Sequence, residues 1–233
     1  MKREIIITAD GSTTIQIPEW NEQYHSKHGA IQEAYHVFIK HGLHHFCNQE
    51  CHLERSRKVK ESISILEIGF GTGLNAFITL LEAKKLKLNI NYNGVEAYPV
   101  SEDEIKALNY TETLKVENDE ILFQKIHETP WEERNQIKDG FILVKRKQLF
   151  SEIRDTETHN IIYFDAFGAR VQPELWTETI FEIMYNALKP NGILVTYSAK
   201  GSVRRAMQAV GFKVERLPGP PGKREMLRAC KEA

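Results

Sequence analysis

The run Ile65-Leu66-Glu67-Ile68-Gly69-Phe70-Gly71-Thr72-Gly73-Leu74-Asn75 decides the fold of this chain. Apolar residues typical of a buried strand surround one acid, three glycines follow at alternate positions, and a helical pattern begins at Leu74. Glycine has no Cβ, so the backbone can turn sharply there and a flat ligand can approach closely. The spacing is G-x-G-x-G, and Leu74 stands where a dinucleotide fingerprint has its third glycine. The turn therefore predicts a ligand site and argues against a nucleotide-dependent oxidoreductase.

This E-x-G-x-G-x-G pattern resembles motif I of the S-adenosyl-L-methionine (AdoMet)-dependent methyltransferases. The resemblance implies that the strand end and the turn hold AdoMet, and an ordinary glycine-rich turn between a strand and a helix is the alternative. The cofactor contacts that it implies are Glu67, Gly69, Phe70, Gly71, Thr72, Gly73 and Asn75.

The composition is that of a globular protein. The 233 residues are 41% hydrophobic and 27% charged, and the formal net charge is −1. No apolar stretch approaches the roughly 20 residues of a membrane span, and the first residues lack the apolar core of a signal peptide. Three cysteines are too few for a disulfide framework. We therefore expect a cytoplasmic protein without membrane contact.

We expect a single domain over residues 1–233, with an N-terminal extension at 1–62 and a Rossmann-like core at 63–233. In the extension, Asp10-Gly11 between two β-branched runs predicts a hairpin. The apolar period of residues 30–46 predicts a helix in the same extension.

Strand and helix patterns alternate through the core. The predicted strands are Ser64–Glu67, Ile90–Glu96, Phe141–Lys145, Asn160–Asp165 and Gly192–Tyr197. The predicted helices are Leu74–Leu86, Ser101–Asn109, Leu149–Arg154, Trp176–Leu188 and Ser202–Val210. Two closing strands, Lys213–Arg216 and Glu225–Ala229, flank a turn rich in glycine and proline. This α/β order predicts a mostly parallel sheet with one antiparallel edge.

Acidic residues end two further strands. Ligands of such sheets bind at the carboxyl ends of the strands, near the point where the strand order reverses. Glu96 ends the second strand, where a carboxylate can accept hydrogen bonds from both hydroxyls of a ribose. Asp165 ends the fourth strand, and we expect its side chain to point into the same cleft. The alternatives are a solvated loop acid for Glu96 and a turn cap for Asp165.

Several motifs together resemble the MnmC-like tRNA methyltransferases. The segment from Tyr163-Phe164-Asp165-Ala166-Phe167 to Pro173-Glu174-Leu175-Trp176 is similar to the D-G/A-F-x-P-x-x-x-P-x-x-W signature of that family. Further matches are the glycine turn, Tyr24-His25-Ser26, Gly29-Ala30, Glu33, His36-Val37-Phe38, Lys189–Ser198, Val203-Arg204-Arg205, Gly211-Phe212 and Lys223–Leu227. The similarity extends over nearly the whole chain.

The resemblance implies AdoMet-dependent methylation of the 5-aminomethyl group on the wobble (2-thio)uridine of tRNA, giving 5-methylaminomethyl-(2-thio)uridine. Asp165 would contact the cofactor, bind the amine and help to deprotonate it. Tyr24, Ser26 and Glu33 would contact the substrate. The implied partners are the tRNA anticodon loop and the enzymes that install the aminomethyl group. Bifunctional members also carry a flavin-dependent half, for which this chain has no room.

Two positions depart from the family pattern. The third strand ends in Val144-Lys145-Arg146-Lys147-Gln148, where the family usually has an Asp near the adenine. Gln148 can replace it only through a neutral hydrogen bond. Ala169-Arg170 stands where the family has a proline, so we expect that loop to have a different shape.

The C-terminal segment is basic, because nine Lys and Arg residues stand against three Glu from Lys200 onward. Such an excess can bind phosphates, and it indicates Arg204, Arg205, Lys223 and Arg224 as phosphate contacts. A solvated helix face and hairpin is the alternative.

One stretch contains potential metal ligands: His41, His44, His45, Cys47, Cys51 and His52. Their spacing fits the paired elements of structural zinc sites only loosely, and a domain with a core of this size folds without a metal. We expect no metal here.

Two other functions are consistent with parts of the sequence. A methyltransferase of a small amine would keep Glu67, the glycines and Glu96 but would not need the basic C-terminal segment. A catalytically silent RNA-binding relative would keep the basic surface and lose affinity for AdoMet.

Overall fold

The structure is a computed structural model that describes residues 2–53 and 62–233. The strands are β1 (Glu4–Ile7), β2 (Thr13–Ile17), β3 (Glu22–Gln23), β4 (Ile63–Ile68), β5 (Ile90–Val95), β6 (Arg134–Lys138), β7 (Phe141–Arg146), β8 (His159–Phe164), β9 (Leu188–Thr196), β10 (Lys213–Pro218) and β11 (Glu225–Cys230). The α-helices are α1 (Ala30–Ala34), α2 (His45–Leu53), α3 (Leu74–Leu86), α4 (Glu102–Lys106), α5 (Tyr110–Thr113), α6 (Glu120–Glu128), α7 (Glu178–Ala187) and α8 (Gly201–Ala209). A π-helical segment, Tyr35–His44, joins α1 to α2.

The core is an eight-stranded sheet with the order β10-β11-β9-β8-β4-β5-β7-β6. Its central strands β9, β8, β4, β5 and β7 run parallel, whereas β11, β10 and β6 are antiparallel to their neighbours. Parallel strands are covered on both faces and therefore need nearly continuous apolar runs, as in β4 and β8. The predicted mostly parallel sheet with an antiparallel edge is confirmed. The prediction misses β6 at the opposite edge, because Arg134–Lys138 is polar and shows no alternation.

Helices cover both faces of this sheet. The π-helical segment, α3 and α6 pack on one face through residues such as Phe38, Phe77 and Phe123. Helices α7 and α8 pack on the other face through residues such as Phe181 and Met207. Among the described residues, no helix combines the length and the apolar character that a membrane crossing requires.

The glycine turn lies at the point where the strand order reverses. Strand β4 pairs with β5 on one side and with β8 on the other. The glycines follow β4, Glu96 follows β5, and Asp165 follows β8. The three parts that the sequence singled out therefore meet at one edge of the sheet.

The N-terminal extension forms a small antiparallel sheet, β1-β2-β3, which contains the predicted hairpin. The predicted helix begins at Ala30 as expected but continues to Leu53, and ten of its residues are π-helical. Gly42 in the π-helical segment lies close to the sheet, because a Cβ there would be 3.1 Å from the Tyr163 ring and 3.2 Å from Val195.

The helix predicted at Leu149–Arg154 is wrong. Only Phe150–Glu152 is helical, as one 3-10 turn, and Ile153 is extended and buried in the core. The Arg154 side chain donates to the carbonyl groups of Ser151 and Ile153 instead of continuing a helix. Burial of Ile153 thus ends the turn after three residues.

Candidate active site

A cavity of about 400 Å³ opens at the carboxyl ends of the central strands. This volume is in the range of about 300–1,000 Å³ that is typical of small-molecule sites. Gly69 and Gly71 line it from the glycine turn, and Glu96 and Asp165 line it from the neighbouring strand ends. The structure thus brings these four predicted residues together around one space.

The turn requires glycine at both lining positions. Gly69 has φ +88°, and a Cβ there would lie 2.7 Å from the Asp165 carbonyl oxygen. Gly71 has φ +48°, and a Cβ there would lie 3.0 Å from the Tyr24 ring. Both backbones are in the left-handed region, which side chains other than glycine disfavour. A larger residue would therefore strain the turn and narrow the cavity.

Glu96 is fixed by two backbone donors. The Gly71 N–H donates to Glu96 Oε2 at 3.0 Å, and the Tyr98 N–H donates to Oε1 at 2.9 Å. Each carboxylate oxygen can accept more than one hydrogen bond, so both oxygens keep capacity for a ligand. The glycine turn thus holds this carboxylate toward the cavity.

Asn75 links two carboxylates. Its Nδ2 donates to Glu67 Oε1 at 2.9 Å and to Asp165 Oδ2 at 2.8 Å. Glu67 also accepts from the Tyr92 hydroxyl at 2.9 Å and is only 1% exposed. Burial raises the pKa of Glu67 well above its usual range. Glu67 therefore lies beneath the turn, outside the lining of the cavity, and orients Asn75. Its contact with the cofactor stays a prediction.

Asp165 has the pKa of a base that works near neutral pH. Burial raises the pKa of its carboxyl most, and the nearby Glu33 carboxylate raises it further. The Asn75 hydrogen bond and the Lys223 ammonium oppose these effects, and the pKa is about 7. Asp165 still keeps part of its surface on the cavity. A carboxylate with this pKa can accept a proton from a bound substrate.

The N-terminal extension forms the roof of the cavity. Tyr24 packs edge-on against Phe167 with a ring-centroid distance of 4.9 Å, and both residues line the cavity. Arg170, which stands where the family has a proline, donates to the carbonyl oxygens of Trp20 at 2.8 Å and Asn21 at 3.0 Å. The loop after β8 is therefore tied to the roof by this arginine.

Thr72 anchors the roof from below. The Tyr110 hydroxyl donates to Thr72 Oγ1 at 2.9 Å, and His25 Nε2 lies 2.8 Å from the same oxygen. Burial, assisted by the Lys223 charge, lowers the pKa of His25 to about 4. The neutral His25 ring can therefore accept a hydrogen bond from the Thr72 hydroxyl. Thr72 is fully buried, so its side chain holds the extension and does not line the cavity.

Lys223 reaches from the β10–β11 loop into the interior of the site. Its Nζ lies 2.5 Å from Glu33 Oε2 and 3.8 Å from the centroid of the Tyr197 ring. Glu33 is buried on α1. The sequence did not predict this pairing with Glu33, and the phosphate contact of Lys223 stays a prediction.

The other predicted residues occupy varied positions. Phe70 is buried against Gly94 and packs edge-on with Trp131, so its ring belongs to the core. Ser26 is buried, and its hydroxyl accepts from the His28 N–H at 3.2 Å. Gln148 lies just after β7, outside the lining of the cavity.

The predicted phosphate contacts also differ in exposure. Arg205 and Arg224 are exposed, whereas Arg204 is half-buried. The role of Arg204 and Arg224 as phosphate contacts stays a prediction.

Sequence reasoning missed one wall of the cavity. Leu149, Phe150 and Ser151 line it next to the position where the family has an Asp. The signal was weak, because an apolar pair in a short irregular segment resembles an ordinary surface turn. Ser151 supplies a polar group there, so the missing acid is replaced by an apolar wall with one hydroxyl.

The histidines in the stretch rich in His and Cys make separate contacts with different neighbours. The His41 ring lies 4.8 Å from the His36 ring, and His44 Nε2 lies 3.2 Å from Glu82. Cys51 and His52 have side chains outside the described part of the structure. Within that part, no three potential ligands are close enough together to hold a metal ion.

Comparison with known proteins decides the family. A family model for S-adenosyl-L-methionine-dependent methyltransferases matches residues 110–232, which is more than half of the chain. The chain belongs to this family. It is thus an AdoMet-dependent methyltransferase, as the glycine turn predicted.

Two curated relatives have the name that the sequence motifs indicated. The tRNA 5-methylaminomethyl-2-thiouridine biosynthesis bifunctional protein MnmC of Nitrosospira multiformis is 29% identical over 220 residues, which cover 90% of this chain and 34% of that protein. MnmC of Leptospira interrogans is 28% identical over 230 residues, which cover 95% of this chain and 34% of that protein. The chain spans about a third of the length of these relatives.

Solved structures share the fold. MnmC2 of Aquifex aeolicus has a TM-score of 0.76 and 24% identity, and the match covers 100% of this chain and 71% of that chain. Spermidine synthase of Thermotoga maritima has a TM-score of 0.58 and 13% identity, and the match covers 99% of this chain and 69% of that chain. The predicted Rossmann-like methyltransferase sheet is confirmed.

The residues of the cavity fit AdoMet. The two glycines leave space that a Cβ would fill, and the oriented Glu96 carboxylate suits the two hydroxyls of a ribose. The apolar wall of Leu149 and Phe150 suits the face of a purine. We infer that these groups hold the nucleoside, with Asp165 at the remaining side of the cavity.

Proposed function

We propose that this methyltransferase acts on the 5-aminomethyl group of the wobble uridine or 2-thiouridine in tRNA and produces the 5-methylaminomethyl form. The observation that carries this proposal is Asp165, which lines the cavity with a pKa of about 7 within the segment that most resembles the MnmC-like family. The names of the curated relatives support the same substrate. The proposed substrate places the activity in the cytoplasm, downstream of the enzymes that install the aminomethyl group.

The chemistry requires a neutral amine. Bound AdoMet supplies an electrophilic methyl group on a sulfonium centre. A free alkylamine has a pKa near that of lysine, about 10, and its ammonium form has no lone pair with which to attack. Asp165 orients the amine by a hydrogen bond and accepts its surplus proton. Asn75 holds the Asp165 carboxylate in place at 2.8 Å, so the acceptor is positioned before the substrate arrives.

The roof controls access to this site. Tyr24 and Phe167 cover the cavity beside Asp165, and they exclude water from the reacting groups. A base in the anticodon loop can enter such a cleft because single-stranded loops expose their bases more readily than duplexes do. The exposed Arg205 and Arg224 would contact the phosphates of that loop.

Labelled methyl transfer tests the proposal. The substrate is bulk tRNA from a strain in which this gene is deleted, incubated with the protein and methyl-labelled AdoMet. We expect the label in 5-methylaminomethyl-(2-thio)uridine after digestion to nucleosides, and no label in tRNA from the parent strain, whose sites are already methylated. If the label goes to small amines in a cell extract and not to tRNA, the small-amine methyltransferase is the correct alternative. If AdoMet does not bind by calorimetry, the silent RNA-binding relative is.

A further inference from the structure

A chain of contacts connects the N-terminal extension and the C-terminal hairpin to the peptide that carries Asp165. It begins at Glu33 on α1, which is paired with Lys223 at 2.5 Å. The Lys223 ammonium lies over the Tyr197 ring at 3.8 Å. The Tyr197 hydroxyl donates to the carbonyl oxygen of Ala166, the residue after Asp165, at 2.8 Å. Contacts this short between segments so distant in sequence fix the position of the Asp165 backbone.

The pair of Glu33 and Lys223 is unusual because Glu33 is nearly inaccessible. The Glu33 side chain is 6% exposed and that of Lys223 is 31% exposed. Burying a carboxylate is costly unless a partner compensates its charge. Lys223 supplies that compensation through its direct contact with the Glu33 carboxylate. The contacts thus connect Glu33, through Lys223 and Tyr197, to the peptide that carries Asp165.

We propose that Glu33, held by Lys223, is a positioning residue that makes Asp165 the base that accepts the proton of the substrate amine. This inference rests on the proposed function, because the amine is the substrate named there. The proton leaves the ammonium group for the Asp165 carboxylate, which yields a neutral amine with a free lone pair and a neutral carboxylic acid.

The direction of the charge effect follows from Coulomb's law. A like charge nearby disfavours a carboxylate and strengthens it as a base. Glu33 raises the pKa of Asp165 more than Lys223 lowers it. The ionisable and polar groups that face Asp165 from the surrounding elements are Glu33 on α1, Asn75 on α3, Glu67 on β4, Tyr92 on β5, Tyr197 after β9 and Lys223 in the β10–β11 loop.

Titration of Asp165 in the free protein tests the coupling without any substrate. Carbon-13 NMR of the labelled Asp165 carboxyl should show its midpoint near pH 7 in the wild type. Glu33→Gln keeps the shape of the side chain and removes its charge, so the midpoint should move to lower pH. Lys223→Arg keeps the charge and should leave the midpoint elevated. Glu232→Gln, which removes the carboxylate of the exposed Lys213–Glu232 pair, is the matched control and should change nothing.

A second variant covers the case in which Glu33→Gln does not fold. The combination Glu33→Gln with Lys223→Met replaces the whole pair by neutral side chains of similar size, which buried pairs often tolerate. The Asp165 midpoint should again move to lower pH, since Glu33 has the larger effect of the two. An unchanged midpoint in both variants would overturn the proposal.

The pH profile of methyl transfer to tRNA provides the second readout. In Glu33→Gln the rising limb of kcat should move to lower pH, and the plateau should fall by up to about 10²-fold because Asp165 is then a weaker base. A structural role alone would lower kcat equally at every pH and leave the titration of Asp165 in place, which would also overturn the proposal. If the midpoint moves but the wild type transfers no methyl group to tRNA, the proposed function fails while the coupling of Glu33 and Asp165 stands.

Discussion

At the scale of single residues, the site depends on carboxylates with different surroundings. Glu96 accepts two backbone N–H groups and keeps capacity for a ligand. Asp165 has a single donor from Asn75 and a pKa of about 7. Glu67 is buried beneath both and serves as the acceptor that orients Asn75. Glu96 therefore suits cofactor binding and Asp165 suits proton transfer. Glu67 orients Asn75, which in turn holds Asp165.

Replacing Asp165 should impair chemistry far more than cofactor binding. Asp165→Asn keeps the shape but cannot accept a proton, so kcat should fall by about 10²–10⁴. The wild-type rate should rise as pH passes through about 7, where Asp165 loses its proton. The variant should lose this step and become faster only at higher pH, where the ammonium group of the substrate loses its proton without assistance. Single-turnover methyl transfer between pH 6 and 10 measures both effects.

The control for this prediction is Asp139→Asn, which changes an exposed Asp in the β6–β7 turn and should behave as the wild type. Calorimetry should give similar AdoMet affinities for all three proteins. Near-normal turnover of Asp165→Asn at neutral pH would leave Asp165 as a structural cap.

Replacing Glu96 should impair cofactor binding far more than the chemical step. Glu96→Ala removes the acceptor of two backbone N–H groups and of the ribose hydroxyls, so AdoMet binding should weaken by roughly 1.5–3 kcal/mol, the range for a hydrogen bond to a charged group. The rate at saturating AdoMet should change much less than in Asp165→Asn. Calorimetric titration of AdoMet measures the loss, and an unchanged dissociation constant would show that Glu96 does not hold the ribose.

At the scale of elements, the Thr72 hydroxyl is one of the groups that join the extension to the core. Thr72 lies in the glycine turn, yet its side chain bonds Tyr110 on α5 and His25 in the roof. The turn thus has two functions. Its glycine backbone lines the cavity, and its threonine holds the roof. Coupling of this kind makes the stability of the roof depend on the turn that contacts the ligand.

Thr72→Val should therefore loosen the roof. The variant leaves the buried Tyr110 hydroxyl and His25 Nε2 without their partner, and each unsatisfied buried group costs roughly 1–3 kcal/mol. Urea denaturation should show a lower free energy of unfolding, and AdoMet affinity should fall as well. Thr156→Val, at an exposed position, is the control and should change neither quantity. Equal stability of Thr72→Val and the wild type would show that the roof is held by other contacts.

The sequence was sufficient to predict the parts of the site that directly follow a strand. The glycine turn, Glu96 and Asp165 each follow a strand within two or three residues, and the strand pattern alone predicts where they meet. The side-chain contacts of Thr72, Glu67 and Lys223 could not be predicted, because they join segments 25 to 190 residues apart. The roles of these residues toward cofactor and substrate stay predictions. Strand β6 was missed because Arg134–Lys138 lacks the alternation of an ordinary strand. The apolar period of residues 30–46 predicted a helix but did not show that Tyr35–His44 is π-helical.

At the scale of the whole molecule, a second buried polar network lies outside the cavity lining. Asp155 accepts from Arg146 at 2.7 Å and lies 3.0 Å from His159 Nε2, while His159 Nδ1 lies 3.0 Å from Ser64 Oγ. Burial raises the pKa of Asp155, but the hydrogen bonds from His159 and Arg146 outweigh it, so this pKa lies below its usual range. Asp155 therefore stabilises the fold above the pKa of an unfolded Asp, about 3.9, and this contribution is lost only as pH falls further.

Two buried histidines should lower the stability of the molecule in mild acid, at a pH above the range in which Asp155 is protonated. Burial lowers the pKa of His25 and of His127 to about 4, whereas an unfolded histidine has a pKa of about 6.5. Between these values the unfolded chain binds more protons than the folded one, so stability must fall as pH falls from 6.5 toward 4. Asp165 acts in the opposite direction, because its folded pKa of about 7 is above that of an unfolded Asp. Burial also lowers the pKa of His41, His45 and His159, and it raises the pKa of Glu67 as it does that of Asp165. Among the described residues, five histidines therefore oppose two carboxyl groups, and we expect a net loss of stability.

The measurement is the free energy of unfolding in urea at several pH values between 7 and 4.5. We expect a steady decrease in the wild type and a shallower decrease in His25→Gln, which has one fewer buried group to protonate. His28→Gln is the matched control, because His28 is exposed in the same loop and its replacement should leave the slope unchanged. If the wild type is equally stable at pH 7 and 4.5, or if His25→Gln keeps the full slope, His25 is not buried in its neutral form. The bond between His25 and Thr72 would then not be the one that closes the roof.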